Sequence, residues 1–405
     1  MPNPTEQGTT DTADPIRALY DWGDHQRRTA PVVFDRGTGA WHVFTHAESE
    51  RVLVDRRAFS SEFPAELSAN DDLYEGNLAL LDPPRHTELR ALVSRRFAQR
   101  AVAGLTPLVD SLVTELLDAL DAGGAHDGAD FVDAFAYPLP ATVIATLVGL
   151  PRSDVALMRR WSTAQLNERR TAAIEEEGSH QRSLSALAEI RAHLAPLLAE
   201  RAQSDDPGED LLTAIARAGA DEAAMTTEEQ LGFLRLVLSG GDMTSCSLLS
   251  SLVLALGEHP QLLDRVRAEP DLVPAVVDEV ARTRPPFARV ARWSTVDTEL
   301  AGVPIPAGQL VLPWLTSANR DESVFPDAGA FVPDRTPNPH LSFGRGIHFC
   351  LGVHLAKLEA ARALTALAER YERVEPLPGT PLDHFDPAGG VLALRSLPAR
   401  LVRRR

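Results

Sequence analysis

The sequence predicts a mainly α protein, a single helical body with a small β region near its start and more β beyond Thr295. Three observations carry that prediction. Apolar residues recur at helical spacing from Arg85 onward, period-two alternation is confined to short segments, and no repeat or long linker divides the 405 residues into independent units. Residues 1–13 are polar and acidic and read as a flexible tail, which leaves 14–405 as one domain.

The elements follow in order. Val32 to Phe34 and Trp41 to Phe44 flank the turn Arg36-Gly37-Thr38-Gly39 and read as a hairpin. Leu105, Leu108, Val109, Leu112, Val113, Leu116, Leu117 and Leu120 mark a helix that stops at Gly123-Gly124. Further helical stretches cover Leu139 to Val148, Val155 to Leu166 and Leu184 to Ala202. Pro151, the stretch from Glu175 to Gly178, and the run from Ser204 to Gly208 separate them. Thr226 and Glu229 have the spacing of a capping box, and the apolar pattern behind them runs to about Gly257. At 1.5 Å per residue such a helix spans roughly 45 Å, so it must cross the core. Midway it carries Gly240-Gly241, which cost about 1 kcal/mol each against alanine. Either a neighbouring helix packs on bare backbone there, or a ligand lies across the helix.

Composition narrows the function. Hydrophobic residues make up 44% and charged residues 24%, as in a folded globular protein. The net charge of −17 argues against a general nucleic-acid binder. Two cysteines, Cys246 and Cys350, cannot build a disulfide framework. The N-terminus has no basic-then-apolar signal, and no apolar run reaches about 18 residues. A cytoplasmic protein without a membrane anchor is expected, and a monomer. Lys357 is the only lysine among 40 basic residues, a bias that suggests a GC-rich genome.

The most informative segment is Phe343-Gly344-Arg345-Gly346-Ile347-His348-Phe349-Cys350-Leu351-Gly352, followed by a helical pattern from Val353 to Leu367. A cysteine ahead of a helix sits where backbone N–H groups favour the thiolate, the form that binds metal. Alone, Cys350 reads more readily as a small buried hydrophobe, the usual state of a free cysteine, and the flanking residues reverse that reading. The flanking residues resemble the haem-ligand loop of the cytochrome P450 family, Phe-Gly-x-Gly-x-His-x-Cys-x-Gly, at every fixed position. The resemblance implies the mainly α P450 fold around a buried haem b, with Cys350 as the axial iron ligand. It further implies Phe343 beside the sulfur, and Gly344, Gly346 and Gly352 turning the loop under the porphyrin.

Glu279 and Arg282 resemble the family's Glu-x-x-Arg, which forms a buried structural network with a later arginine, here Arg335; Asn319-Arg320-Asp321 also matches and carries no assigned chemistry. His86, Arg90, Arg292 and His348 resemble the family's haem-propionate partners. Arg289 competes with Arg292, which is preferred by its spacing to Asp297. The long helix departs from the family's distal Ala/Gly-Gly-x-Glu/Asp-Thr-Thr/Ser. Aligning Asp242 with the family's acid puts Met243 at the alcohol. Keeping Gly240-Gly241 as the glycine pair puts Thr244 at the alcohol and Met243 at the acid. Pro260, 16 residues after Thr244, favours the second alignment. Asp242 then lies about 100° round the helix from the acid position. Thr244 either sits over the iron or bonds back to the carbonyl four residues earlier.

The implied activity is reductive activation of O2 by two external electrons to oxidise, by default hydroxylate, a small organic substrate, with natural-product tailoring as the analogous setting. Oxidative coupling or a peroxide-driven reaction are alternatives, and a haem sensor is the contrasting class. The electron donor implied is a ferredoxin or flavoprotein, with Arg95, Arg96, Arg100 and Arg345 as candidate docking cations. Pocket walls by resemblance are Phe63 to Leu78, the segment around Leu166, Leu236, Ser239, Gly240, Met243, and Phe287, Ala288, Arg289 and Val290.

Overall fold

The structure is a computed structural model and describes residues 15–64, 75–168, 179–205, 208–219, 224–385 and 390–404. The first thirteen residues and most of the Phe63 to Leu78 loop therefore lie outside the described residues.

Helices dominate. They are α1 (Pro15–Thr29), α2 (His46–Val54), α3 (Arg85–Phe97), α4 (Gln99–Ala103), α5 (Thr106–Ala122), α6 (Pro138–Val148) and α7 (Val155–Glu168). There follow α8 (Ser179–Gln203), α9 (Leu211–Gly219), α10 (Thr227–Glu258), α11 (Leu262–Ala268), α12 (Val273–Thr283), α13 (Leu315–Ala318) and α14 (Val353–Arg370). The expected hairpin forms between Val32–Asp35 and Ala40–Val43. It extends into a five-stranded sheet through Leu310–Pro313, Arg292–Ser294 and Phe59–Ser60, so strands from the first sixty residues and from residues 292–313 share one sheet. A three-stranded sheet of Ala129–Asp130, Pro398–Arg403 and Tyr371–Pro376 covers the far end. Helix α1, ahead of the hairpin, was not anticipated. Its Leu19 and Trp22 pack with Phe44, Ala288 and Trp314 beside the sheet.

The long helix is the axis. Thr226 accepts from the Glu229 N–H, and the Glu229 carboxylate accepts from the Thr226 N–H, closing the capping box. The helix runs 32 residues, and its two halves contribute Leu231, Phe233, Leu234, Leu248, Leu252 and Val253 to one core with α5, α6, α12 and α14. By length and composition α10 is apolar enough to cross a membrane, but 72% of that window is buried inside the fold, so it is a core helix.

The two glycines of α10 have different causes. A Cβ at Gly241 would meet the Ile144 side chain of α6 at 3.2 Å, so close helix packing holds that position. At Gly240 a Cβ would meet only Leu236 Cδ1, at 4.0 Å. Gly240 is exposed in mid-helix, and its neighbour Ser239 and, four residues away on either side, Leu236 and Thr244 are half-buried. The face of the central helix around Gly240 is thus left accessible.

Candidate active site

The Cys350 loop leads into α14, which packs in the same core as α10. Gly344 and Gly346 have φ of 72° and 67°, the left-handed region that glycine enters without strain. A Cβ at Gly346 would also press on the Leu53 carbonyl at 3.2 Å. Gly352 differs from expectation: its φ is −88°, and its use is to cap α14 and donate its N–H toward the Cys350 sulfur. The Cys350 N–H is held by the Phe343 carbonyl at 2.8 Å. Burial raises the Cys350 thiol pKa, while the Gly352 N–H and Arg90 work to lower it. Cys246 is buried in α10 with its thiol pushed up to about 12 by burial, the state of an inert core cysteine.

A polar cradle lies beside the loop. His86 is 1% exposed, and neither ring nitrogen has a hydrogen-bond partner. Burial, then His348 and Arg90, lower its pKa to about 4. Its ring lies 4.5 Å from that of His348, whose Nε2 pairs with Ser61 Oγ at 2.8 Å and faces Asp82 at 3.9 Å. Burial opposes ionisation of Asp82, but His348, Ser60 and the Ser61 N–H outweigh it and hold the carboxyl below its usual range. Arg292 is 7% exposed, spends one N–H on the adjacent Ala291 carbonyl, and has its pKa pushed down to about 10 by burial. Buried cations and donors left without anions are costly unless an anionic ligand completes them. His86, Arg292 and His348 therefore fit the two propionates of haem b, with Cys350 and the glycine-turned loop fitting its proximal side. Arg90 is placed differently: it donates to the Ile347 and Phe349 carbonyls at 2.8 and 2.6 Å, fastening α3 to the cysteine loop. Ser61 and Asp82 had no sequence signal of their own.

On the open face, Thr244 Oγ1 donates to the Gly240 carbonyl at 2.6 Å, the back-bonded alternative. Met243 is 4% exposed. Asp242 is fully buried on the far side of α10, where Oδ2 accepts from Tyr137 at 3.1 Å and Ser162 at 2.6 Å, and Oδ1 accepts from the Met243 N–H. It is turned away from Gly240 and Thr244, as the second alignment requires, and ties α10 to α7. Burial pushes its pKa up to about 7 against those donors.

Two pocket expectations need correction. Ala288 packs its methyl into the cluster of Leu19, Trp22, Phe44 and Trp314, and the Arg289 guanidinium lies 5.1 Å over the Trp314 ring. The backbone bridge from Arg289 to Trp314 aims that side chain at the aromatic cluster rather than into a pocket. Phe287 and Val290 pack with Leu53, Leu315, Ala318 and Leu341. Ser239 donates to the Arg235 carbonyl, and Leu236 leans on the core.

The structural triad assembles as its residues imply. Glu279 and Arg282 are both fully buried and paired through two bonds of 2.7 Å, and Arg335 Nε reaches Glu279 at 3.1 and 3.2 Å. Arg282 also donates to the Asn319, Ala328 and Ala330 carbonyls. Asn319, given no role from sequence, accepts the Leu341 N–H and donates to Ser342 just ahead of the cysteine loop. The network thus positions the loop from behind.

The chain matches the family model "Cytochrome P450" over residues 32–402. It is 38% identical to the erythromycin C-12 hydroxylase of Saccharopolyspora erythraea, over 94% of each chain. It is 35% identical to the cyclomarin C epoxidase CymV of Salinispora arenicola, over 94% of this chain and 95% of that one. Among solved structures, a mutant of P450 EryK in complex with erythromycin B superposes with a TM-score of 0.86, at 36% identity, over 99% of this chain and 98% of that chain. The chain belongs to the cytochrome P450 family, whose members bind haem b through a cysteine thiolate, and it is a monooxygenase.

Proposed function

We propose that this protein hydroxylates a bulky, mainly apolar natural product in the bacterial cytoplasm, through residues 14–405 acting as one catalytic domain. The observation that carries the reading is the Cys350 loop, matched at every fixed position and turned by Gly344 and Gly346 at positive φ. Erythromycin and cyclomarin C, in the names of its relatives, suggest macrolides and cyclic peptides as the first compounds to try.

Cys350 would hold the iron as thiolate, and His86, Arg292 and His348 would hold the propionates. The haem, when bound, supplies the site at which O2 is activated by two electrons and two protons. The chain's own residues do the rest. Leu236, Ser239, Gly240 and Met243 present the substrate-facing side of α10, and Glu279, Arg282 and Arg335 hold the proximal loop without touching substrate. Thr244 Oγ1 can rotate from the Gly240 carbonyl to hold a proton near the reaction centre. Met243 cannot carry one, so water or a substrate hydroxyl must complete the relay.

Electrons come from an acidic ferredoxin or flavoprotein docking on the Cys350 side. Val54, against Gly346, and Phe349 are exposed apolar residues there, and Arg95 and Arg100 are exposed cations on the adjoining α3 and α4. Arg345 and Arg96 are already engaged, with Glu50 and the Glu209 carbonyl.

The test is a Soret-shift titration of purified ferric protein with a panel of macrolides and cyclic peptides, followed by turnover with a surrogate ferredoxin system. Products heavier by one oxygen support hydroxylation. Products that have lost two hydrogens without gaining oxygen would replace it with oxidative coupling.

A further inference from the structure

One lysine survives in a chain that otherwise uses arginine for every cation, and the site as described gives it no task. Lys357 lies on α14, two turns past Cys350. Its Nζ is 2.6 Å from Asp278 Oδ1 and 5.5 Å from the centroid of the Phe343 ring. Asp278 precedes the buried Glu279 on α12. His340 Nε2 lies 3.6 Å from the same Asp278 oxygen, and its ring centroid is 5.7 Å from that of Phe343. Phe343 in turn holds the Cys350 N–H through its carbonyl. Burial, aided by Lys357 and Arg345 and opposed by Asp278, keeps the His340 imidazole below its ordinary pKa and favours its neutral form. Arg345 itself is paired with Glu50 at 3.2 Å. One cation thus stands against the aromatic ring that joins the ligand loop, with one anion paired to that cation.

We propose that Lys357 and Asp278 are positioning residues that set the reduction potential of the haem iron through Phe343, Lys357 raising it and Asp278 lowering it. This rests on the reading of Cys350 as the iron ligand. Reduction takes one electron from the external donor, and no bond is made or broken in the protein. The reduced centre carries one more negative charge than the oxidised one, so a nearby cation favours it and a nearby anion opposes it. The aromatic ring places the charge across a low-dielectric contact, where screening by water is weaker. Lys357 is 39% exposed and Asp278 30%, so each effect is a partly screened one.

The two charges act in opposite senses, which separates tuning from packing. The experiment is a dye-mediated redox titration of the haem-loaded wild type, Lys357→Met, Asp278→Asn, the double variant, and Lys357→Arg. Lys357→Met removes the cation and leaves the Asp278 carboxylate without its lysine partner. The ratio of reduced to oxidised haem at fixed potential then falls about threefold, which is about 28 mV for a one-electron couple. Asp278→Asn raises it by a similar factor, the double variant returns close to wild type, and Lys357→Arg, which keeps the charge, stays close to wild type. Carbon monoxide spectra of the reduced proteins run alongside. An intact thiolate band with potentials that do not move, or that move in the same direction for Lys357→Met and Asp278→Asn, overturns the tuning role and leaves Lys357–Asp278 as a clamp between α12 and α14. Absence of that band in the wild type overturns the Cys350 reading instead.

Discussion

Asp242→Asn tests the physics of the central helix. Asp242 is fully buried, and its carboxyl pKa is raised from 3.8 to about 7 chiefly by that burial. The folded state therefore binds this proton more tightly than the unfolded chain. The stabilising effect of the proton is complete below pH 3.8 and is lost as pH rises, until it levels off above pH 7. At about 1.4 kcal/mol per pH unit, the wild type loses about 3 kcal/mol between pH 5 and pH 8 through this residue. Asparagine cannot ionise and escapes that loss, but one of the bonds from Tyr137, Ser162 or the Met243 N–H weakens, at about 1 kcal/mol at every pH. Counted from pH 3.8, the loss reaches about 4 kcal/mol by pH 8, so Asp242→Asn is expected to be less stable than wild type only below about pH 4.5 and more stable by about 3 kcal/mol at pH 8. Urea unfolding of both haem-loaded proteins at several pH values reads the difference, in which every other titrating group cancels. Parallel stability curves across that pH range would refute a buried carboxyl titrating near 7.

Three further outcomes follow from the same geometry. Glu279→Ala leaves Arg282 and Arg335 without their buried anion, at about 3–5 kcal/mol, and should yield little haem-containing protein; full haem loading with loss of turnover alone would assign Glu279 to chemistry instead. Gly241→Val drives a branched side chain into Ile144 and should lower the melting temperature, whereas Gly240→Ala, with space at its Cβ, should raise it modestly and weaken ligand-induced Soret shifts. Met243→Asp places a carboxyl beside Thr244 and should increase the share of reductant appearing in product; loss of ligand binding in that variant would show Met243 to be chiefly an apolar wall.

How much of this was legible in the sequence depended on where the cause of each feature lies. The capping box at Thr226 and Glu229 and the helix from Pro138 to Val148 are local, so spacing alone placed them. The cysteine loop and the Glu279 triad were legible because their residue types match a family pattern. Helix α1 was not, because its pattern is weak and its partners, Phe44, Ala288 and Trp314, lie far along the chain. Arg289 was misplaced for a related reason: which side of a strand-like segment faces the cavity depends on its pairing with Trp314, a contact no local pattern contains. The paired glycines looked like one signal and proved to be two, since only the position of Ile144 distinguishes them. Ser61, Asp82 and Asn319 gained their roles solely from long-range hydrogen bonds.

The central claim is that Cys350, and not Cys246, holds the haem iron. The direct measurement is the carbon monoxide difference spectrum of the dithionite-reduced protein, compared across wild type, Cys350→His and Cys246→Ala. The account predicts a Soret band near 450 nm, the mark of thiolate ligation, in the wild type and in Cys246→Ala, and its loss in Cys350→His. A band that survives in Cys350→His, or that disappears in Cys246→Ala while haem is retained, would contradict it.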